Sequence, residues 1–345
     1  MKVSIIGGGG LVGSMAAYAL QCGGVVSALC VIDANKDVAR GVATDLLNGA
    51  CLVGGDQRIS AGDYAEVPSS DIIVITAGLR RKPDESRLDL INRNVDLFLG
   101  ILDQVKAAGP KPSATLVVVS NPVDVLTYLA VHRSGLPWQR VIGLGTQLDT
   151  ARFRSYLARR LKAPPTQVQA LILGEHGDSM VPVWSSATVA GLPLEQWPGF
   201  SPALAREVFE ETKTAGATLI KLKGGSGFGV GLSIREVVHS IAQDSRRVLP
   251  VSSLQHGLYG VSDVCLSVPT VVGCGGAREQ VELPLTQKER SGIQNSARVL
   301  RDIIDQVEAR VGKVRADGAA APRPRGNAVP AGNGRAIPRA AWQRA

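Results

Sequence analysis

The sequence predicts an α/β protein in which helices cover both faces of a parallel sheet, followed by a second, α+β region. First, short runs rich in β-branched residues alternate with amphipathic helical stretches over residues 1–145. Second, those runs are apolar at almost every position, which is typical of strands that are buried on both faces. Third, a length of 345 residues exceeds one ordinary domain and suffices for two.

The alternation places the elements of the first region in a regular order. Strands are predicted at residues 3–6, 28–32, 72–76, 115–119 and 141–142. Helices are predicted between them at residues 11–21, 36–47, 88–108 and 123–134. Because each helix returns the chain to the same end of the sheet, the strands are expected to be parallel.

From residue 146 the pattern becomes mixed. The predicted elements are a helix at 149–161, a strand at 168–173, helices at about 202–221 and 232–243, short strands between 251 and 272, and a last helix at about 286–311. We therefore expect one domain at residues 1–145, a second at 146–312 and a tail at 313–345.

The positive charge is concentrated in the tail. The formal charge of the chain is +8, and residues 313–345 contribute +6 of it through seven basic residues and one acid. The tail is rich in Ala, Pro, Gly and Arg, and such a composition cannot bury enough apolar surface to offset its ordering entropy. The sequence therefore predicts a disordered, solvated tail. Binding of the tail to nucleic acid or to another acidic partner is the lesser alternative.

Cysteine usage and hydropathy indicate the compartment. The five cysteines include no Cys-x-x-Cys pair and no Cys/His spacing of a metal site, so reduced thiols and no bound metal are expected. No apolar run reaches membrane-spanning length, and no signal-peptide core precedes the first predicted strand. The sequence predicts a cytoplasmic protein that does not bind a membrane.

A glycine-rich turn follows the first predicted strand and leads directly into a helix. Glycine permits the tight turn and lets the backbone approach a pyrophosphate, which the N–H groups at the helix start can then bind. A turn without a ligand is the alternative interpretation. The glycines assigned to a cofactor are Gly7, Gly8, Gly10 and Gly13.

An acidic residue ends the second predicted strand. Asp33 lies twenty residues after Gly13, where a carboxylate accepts hydrogen bonds from the ribose hydroxyls of NAD and repels the 2′-phosphate of NADP. Asn35 and Lys36 are close enough to keep NADP as the alternative. Together with the glycine turn, Asp33 predicts a Rossmann-type, doubly wound sheet that binds NAD.

A basic loop follows the strand predicted at 72–76. Residues 80–87 contain four cations, among them Arg81 and Arg87, and lie beyond the carboxyl end of a parallel strand, where open α/β sheets bind ligands. Such a loop can close over an anionic substrate, although a merely solvated loop is the alternative. Asn121, at the end of the next strand, either offers its amide to a ribose or a substrate or is an ordinary turn residue before Pro122.

The second domain supplies a candidate acid–base pair. His176 lies in a glycine-flanked turn at residues 174–179, and an imidazole that a carboxylate orients exchanges protons near neutral pH. Asp149 begins a predicted helix and is either that carboxylate or a helix cap. Arg152, on the same helix face, is placed to hold a substrate carboxylate with two hydrogen bonds.

Taken together, these motifs resemble the lactate/malate dehydrogenase family, and the resemblance covers about residues 1–312. It implies that His176 is the proton donor and acceptor, that Asp149 orients it, that Arg152 binds the substrate's 1-carboxylate and that Arg87 polarises the reacting carbonyl. It also implies that the side chains of Asn94 and Asn121 line the cofactor site. Asn121 and the hydroxyl of Ser226 are implied to line the substrate site.

The resemblance also implies a substrate. Arg81 matches the lid position at which malate dehydrogenases have arginine and lactate dehydrogenases have glutamine, and a second arginine would pair with the 4-carboxylate of oxaloacetate. The seven-residue span from Gly7 to Gly13 also resembles malate dehydrogenases. We therefore expect malate and oxaloacetate as the substrates, with lactate and pyruvate as the alternative.

Other function classes and the assembly follow from the same residues. A metal-assisted, nicotinamide-dependent glycosidase can share the glycine turn, but it would leave the three arginines without a ligand. A non-catalytic protein would not need the acid–base set. The resemblance implies a homodimer or a homotetramer.

Overall fold

The structure is a computed structural model, and it describes residues 1–80 and 84–312. The predictions made for Arg81 and for the tail at residues 313–345 lie outside the described residues.

The first half of the chain alternates strands and helices as its sequence pattern predicts. Its strands are β1 (Lys2–Ile6), β2 (Ala28–Ile32), β3 (Arg58–Gly62), β4 (Ile72–Ile75), β5 (Thr115–Val118) and β6 (Val141–Gly143). Its helices are α1 (Leu11–Gly23), α2 (Lys36–Asn48), α3 (Arg87–Ala108) and α4 (Val123–Arg133). Helix starts carry local signals: the Asn35 side chain caps α2 and the Ser86 side chain caps α3.

The second half mixes helices with antiparallel strands. Its strands are β7 (Val168–Leu173), β8 (Val181–Val189), β9 (Leu192–Pro193), β10 (Arg247–His256), β11 (Ser262–Gly273) and β12 (Gly276–Gln280). Its helices are α5 (Gln147–Leu161), α6 (Pro202–Lys223), α7 (Phe228–Ala242) and α8 (Gln287–Val311). None of the described helices is long and apolar enough to cross a membrane.

One mixed sheet runs through both halves of the described chain. Its order is β12-β11-β10-β6-β5-β4-β1-β2-β3, and β7, β8 and β9 form a second sheet. The six strands from β3 to β6 pair in parallel, and the antiparallel strands β10 to β12 extend the sheet through the pairing of Ser252 with Gly143. The prediction of a Rossmann-type parallel sheet followed by an α+β region is confirmed.

The side chains of the sheet alternate between two hydrophobic cores. On β4, Ile73 and Ile75 pack into one core, whereas Ile72 and Val74 pack into the other, which explains why the whole strand is apolar. Both cores cross the boundary predicted at residue 145, because α8 packs into the first and α7 into the second. The two predicted domains thus share one sheet and two cores, and their separation into functional units stays a prediction.

The order of the strands sets the position of the site. β1 lies between β2 and β4, so the chain moves outward in opposite directions from β1, and a crevice opens beyond the carboxyl ends of the two strands. The glycine turn, Asp33, the basic loop and Asn121 follow β1, β2, β4 and β5 respectively. All of them therefore lie at the same edge of the sheet.

Candidate active site

The turn after β1 consists of glycines, and two of them lie where a side chain would collide with the backbone. Gly7 has a φ of +82°, and a Cβ placed on it would lie 2.5 Å from the backbone nitrogen of Ala77. The N–H groups of Gly7 and Gly8 both donate to the Ile32 carbonyl, at 2.8 and 3.0 Å, and a Cβ on Gly13 would collide with the Gly7 carbonyl oxygen. Helix α1 then begins with no side-chain cap. The glycines therefore let the backbone pass without side chains, and the uncapped N–H groups of the first turn of α1 are the ones that could bind a pyrophosphate.

Asp33 stands beside this turn. One carboxylate oxygen accepts a hydrogen bond from the Gly9 N–H and the other from the Asn35 N–H, each at 3.0 Å. The first bond holds the carboxylate against the glycine turn, and the side chain is only half-buried. Asp33 is thus fixed at the end of β2 with lone pairs available to a ribose, which is where NAD would need it.

The structure joins His176 to Asp149. The Nδ1 atom of His176 lies 2.5 Å from one carboxylate oxygen of Asp149, which is only 1% exposed. β7 leads into the turn that carries His176, and the first turn of α5 carries Asp149. An imidazole that is oriented at Nδ1 leaves Nε2 for proton exchange with a substrate.

The surrounding charges strengthen the imidazole as a base. Burial alone would lower the pKa of His176, but the Asp149 carboxylate outweighs burial, and with a contribution from Asp124 the pKa rises to about 9. Burial correspondingly favours the neutral form of Asp149, yet His176 and Arg152 hold the pKa of Asp149 below its usual value. The pair is therefore a protonated imidazole on a buried carboxylate at neutral pH.

Arg152 joins the same cluster. Its Nη1 donates to the second carboxylate oxygen of Asp149 at 3.1 Å, and its side chain is 12% exposed. A Cβ placed on Gly216 of α6 would lie 4.0 Å from that nitrogen, so the guanidinium is packed between α5 and α6. A cation in this place can bind a substrate carboxylate next to His176.

Arg87 contacts the turn that carries His176. It is the first residue of α3, and its Nη1 donates to the Asp178 carboxylate at 3.0 Å, two residues after His176. Both side chains are well exposed, at 63% and 85%. The structure thus places the predicted lid arginine beside the imidazole turn while leaving it in contact with solvent.

Asn94 is buried and serves the backbone of the basic loop. Its Oδ1 accepts from the Leu79 N–H at 2.8 Å, and its Nδ2 donates to the carbonyls of Leu79 and Leu90 at 3.3 and 3.0 Å. The amide therefore anchors the end of the segment that follows β4. A direct contact between this amide and a cofactor stays a prediction.

Asn121 and Ser226 lie in turns outside the hydrogen-bonded cluster. Asn121 is exposed and its Oδ1 accepts from the Val123 N–H at 3.3 Å, while Ser226 is half-buried between α6 and α7. The Arg80 guanidinium lies near Gly224, so this one side chain reaches the turn between α6 and α7 that carries Ser226. Among the described residues, the hydrogen bonds around His176 do not extend to Asn121 or Ser226.

Sequence reasoning missed Asp124. This side chain, 2% exposed, accepts a hydrogen bond from the backbone N–H of His176 at 2.7 Å. The available signal was an acid three residues after Asn121 at the start of a helix, which is also an ordinary position for a carboxylate.

Comparison with known proteins identifies both halves of the chain. Residues 1–143 match the lactate/malate dehydrogenase NAD binding domain, and residues 146–311 match the lactate/malate dehydrogenase alpha/beta C-terminal domain. An L-lactate dehydrogenase from Synechococcus sp. (strain JA-3-3Ab) is 42% identical over 89% of this chain and 99% of its own length. L-lactate dehydrogenase 1 from Clostridium acetobutylicum is 39% identical over 89% of this chain and 98% of its own.

Solved structures show the same fold. The minor L-lactate dehydrogenase from Enterococcus mundtii, in its ligands-bound form, has a TM-score of 0.84 and 38% identity over 89% of this chain and 98% of that one. Malate dehydrogenase from Salinibacter ruber has a TM-score of 0.83 and 34% identity over 91% of this chain and 100% of that one.

These relatives overturn the substrate expected from the sequence. The prediction of malate is wrong, because the curated relatives at about 40% identity are named L-lactate dehydrogenase, and most of the structural neighbours are named lactate dehydrogenase. The prediction depended on the charge of Arg81 and on the length of the glycine turn. A single cation does not set the charge of this loop, since Arg81 stands in the sequence among three further cations and is followed by the acids Asp84 and Glu85.

The glycine turn fits the dinucleotide that the matching NAD binding domain binds, so the cofactor predicted from the sequence is confirmed. The two matches cover almost all of the described chain and belong to one family. The acid–base cluster is the set of side chains that such a dehydrogenase would use for proton exchange. This chain therefore belongs to the lactate/malate dehydrogenase family and is an NAD-dependent oxidoreductase.

Proposed function

We propose that this chain is an L-lactate dehydrogenase that interconverts pyruvate and L-lactate with NADH and NAD. The observation that carries the reaction type is the His176 imidazole bound to the buried Asp149 carboxylate with Arg152 on the same carboxylate. The choice of pyruvate is supported by relatives at 39–42% identity that are named L-lactate dehydrogenase. The cofactor, when bound, would supply the hydride as NADH in pyruvate reduction and accept it as NAD in lactate oxidation.

In this proposal Arg152 binds the substrate carboxylate. A guanidinium can hold a carboxylate through two parallel hydrogen bonds, and only Nη1 of Arg152 is engaged with Asp149. Binding at this point would set the substrate's C2 carbonyl against the free Nε2 of His176. Ser226 and Asn121 line the remaining sides of the substrate in this arrangement.

His176 exchanges the proton. The protonated imidazole donates from Nε2 to the carbonyl oxygen of pyruvate as that oxygen gains charge, and the neutral imidazole takes the proton back from the hydroxyl of lactate. Asp149 keeps Nδ1 protonated in both states and stabilises the charged ring. A pKa of about 9 for His176 means that the free enzyme is ready for pyruvate reduction at neutral pH.

Arg87 closes the site. We propose that Arg87 leaves Asp178 when substrate binds and donates to the reacting carbonyl, where its charge stabilises the developing oxyanion. Closure of the loop around Arg87 would also exclude water from the site. The Asn94 anchor fixes the point from which this loop moves, because its amide binds Leu79 and Leu90.

The cofactor residues follow from the turn after β1. We propose that the backbone at Gly7, Gly8, Gly10 and Gly13 accommodates the pyrophosphate and that Asp33 accepts from the adenosine ribose. Asn121, at the carboxyl end of β5, would bind the nicotinamide ribose. In this assignment residues 1–145 bind the cofactor and residues 146–312 supply the acid–base chemistry.

We also propose that the chain assembles as a homodimer or a homotetramer, as its family resemblance implies. Light scattering on purified protein would measure the assembly directly. The cytoplasmic location predicted from the unpaired cysteines remains a prediction.

Product analysis tests the proposed reaction. Purified enzyme with NADH and pyruvate should consume NADH and yield lactate in the L configuration alone, as resolved by chiral chromatography. NADPH in place of NADH should support a much lower kcat/KM, because Asp33 repels the 2′-phosphate. Formation of D-lactate, or of no lactate, would contradict the proposal.

A further inference from the structure

A second carboxylate lies behind the acid–base pair and contacts His176 at a different atom. Asp124 is the second residue of α4 and is 2% exposed. It accepts the backbone N–H of His176 at 2.7 Å, whereas Asp149 binds the imidazole ring of the same residue. His176 is thus held at both its main chain and its ring by two buried acids from two different helices.

We propose that Asp124 is a positioning residue of this enzyme: its carboxylate fixes the turn that carries His176, and its negative charge favours the protonated imidazole over the neutral one. The inference rests on the proposed role of His176 in proton exchange. It adds to that role a residue that sets the pH at which the imidazole gains and loses its proton.

The charge on Asp124 is not required to hold the turn. The bond to His176 uses only one carboxylate oxygen. The other oxygen is buried and makes no regular hydrogen bond among the described residues, although the Ser252 hydroxyl lies near the carboxylate. A buried carboxylate with an unmatched oxygen destabilises a fold, and a neutral amide could accept the same N–H. Retention of an acid here therefore points to a use for its charge.

His176 is the main positively charged group that faces Asp124. On the turn after β7 are His176 and the acid Glu175, on β10 the hydroxyl of Ser252, and on β11 the thiol of Cys265. Burial raises the pKa of Asp124 to about 6, and the nearby Ser252 hydroxyl together with the backbone N–H and the charge of His176 limits that rise. Burial holds the pKa of the Cys265 thiol well above its usual value, so that thiol is neutral.

The imidazole of His176 has more negative than positive charge around it. Two carboxylates, Asp149 and Asp124, raise the pKa of His176, and one cation, Arg152, lowers it. Removal of the Asp124 charge would leave one carboxylate against one arginine. The protonated imidazole would then lose part of its stabilisation, and the pKa of His176 would fall.

The test is an NMR titration of the histidine rings in the full-length protein. The chain has four histidines, and His176→Asn assigns the relevant signal by its loss. In Asp124→Asn the pKa of His176 should fall by about one pH unit. The control Asp103→Asn removes the same charge from the exposed surface of α3 and should leave the pKa in place.

A fall in the pKa of His176 in Asp124→Asn but not in Asp103→Asn supports the proposal. An unchanged pKa overturns it, even if kcat decreases, because the charge of Asp124 would then have no effect on the imidazole. Asp124→Glu, which restores the charge, should return the pKa toward the wild-type value.

Wild-type protein provides a second measurement in case Asp124→Asn does not fold. The His176 ring signal should show a small additional inflection near pH 6, where Asp124 gains its proton. Absence of that inflection in wild type would then overturn the proposal. The titration uses no substrate, so a failure to reduce pyruvate would contradict the proposed function while leaving this result to stand on its own.

Discussion

Two ion pairs flank the same short turn, and they differ in burial. His176 pairs with Asp149, whose side chain is 1% exposed, whereas two residues further along Asp178 is 85% exposed and pairs with Arg87, which is 63% exposed. An exposed pair contributes about 0–1 kcal/mol, so Arg87 can exchange Asp178 for a substrate at little cost. The buried pair cannot exchange partners without leaving a charge unmatched. The site thus combines a fixed acid–base pair with a lid cation that is free to move.

Loss of the fixed imidazole should have the largest effect. His176→Asn removes the proton donor, and general acid–base catalysis contributes about 10²–10⁴-fold, so kcat for pyruvate reduction should fall by that factor. NADH binding, measured by fluorescence titration, should be unchanged because the glycine turn follows β1 and does not involve His176. A variant that reduces pyruvate at a near-normal rate would show that another group donates the proton.

Loss of the mobile cation should be nearly as damaging to the reaction but should not affect stability. Arg87→Gln is expected to lower kcat by about 10²–10³-fold, the usual effect of removing one donor to a developing oxyanion. Its Tm should equal that of wild type, since the ion pair it breaks is exposed. Arg298→Gln, another exposed arginine, is the control and should change neither quantity. A Tm well below wild type for Arg87→Gln would mean that the lid contact is structural.

The buried pair should also make stability depend on pH. The pKa of His176 is raised from about 6.5 to about 9 despite burial, because Asp149 binds the charged ring. A group that binds its proton more tightly when folded stabilises the fold fully below its unfolded pKa and loses that contribution as pH rises through its folded pKa. We expect Tm to fall more steeply from pH 6.5 to 9.5 in wild type than in His176→Asn. If Tm falls with pH equally steeply in the two proteins, the charged pair does not contribute to the pH dependence of stability.

The smallest effect is expected at the exposed acid. Asp178→Asn breaks the pair with Arg87 and should change the free energy of unfolding by no more than about 0.5 kcal/mol. Urea denaturation of this variant and of wild type measures the difference. If the free energy of unfolding falls by several kcal/mol, the exposed pair stabilises the fold as much as a buried pair would, and the two pairs do not differ in the way proposed.

Local signals explain which parts of the fold could be predicted. β1, β2, β4 and β5 are buried along almost their whole length, so continuous apolar runs reveal them. β3 is an edge strand whose residues are at most half-buried, and it has no such run. The extension of the sheet by β10 joins Ser252 to Gly143 across more than a hundred residues, and no local pattern encodes that pairing.

The candidate site, like the fold, could be predicted only in part. Residue types in characteristic turns pointed to His176 and Asp149, and the structure places the two in contact. Which way a side chain points was not predictable: the Asn94 amide faces the backbone of Leu79, and Asp124 faces His176. The substrate was predicted wrongly because the substrate preference of a site is a sum over many groups, and the charge of a single residue, Arg81, was given most of the weight.

Internal competition between two substrates tests the proposed function most directly. Pyruvate and oxaloacetate at equal concentrations are mixed with limiting NADH and the full-length enzyme, and lactate and malate are quantified after NADH is consumed. The product ratio equals the ratio of the two kcat/KM values, whatever the amount of active enzyme. We predict that lactate exceeds malate by at least about tenfold, a difference of about 1.4 kcal/mol in transition-state binding. An excess of malate would contradict the assignment to lactate while leaving the acid–base mechanism of His176 and Asp149 in place.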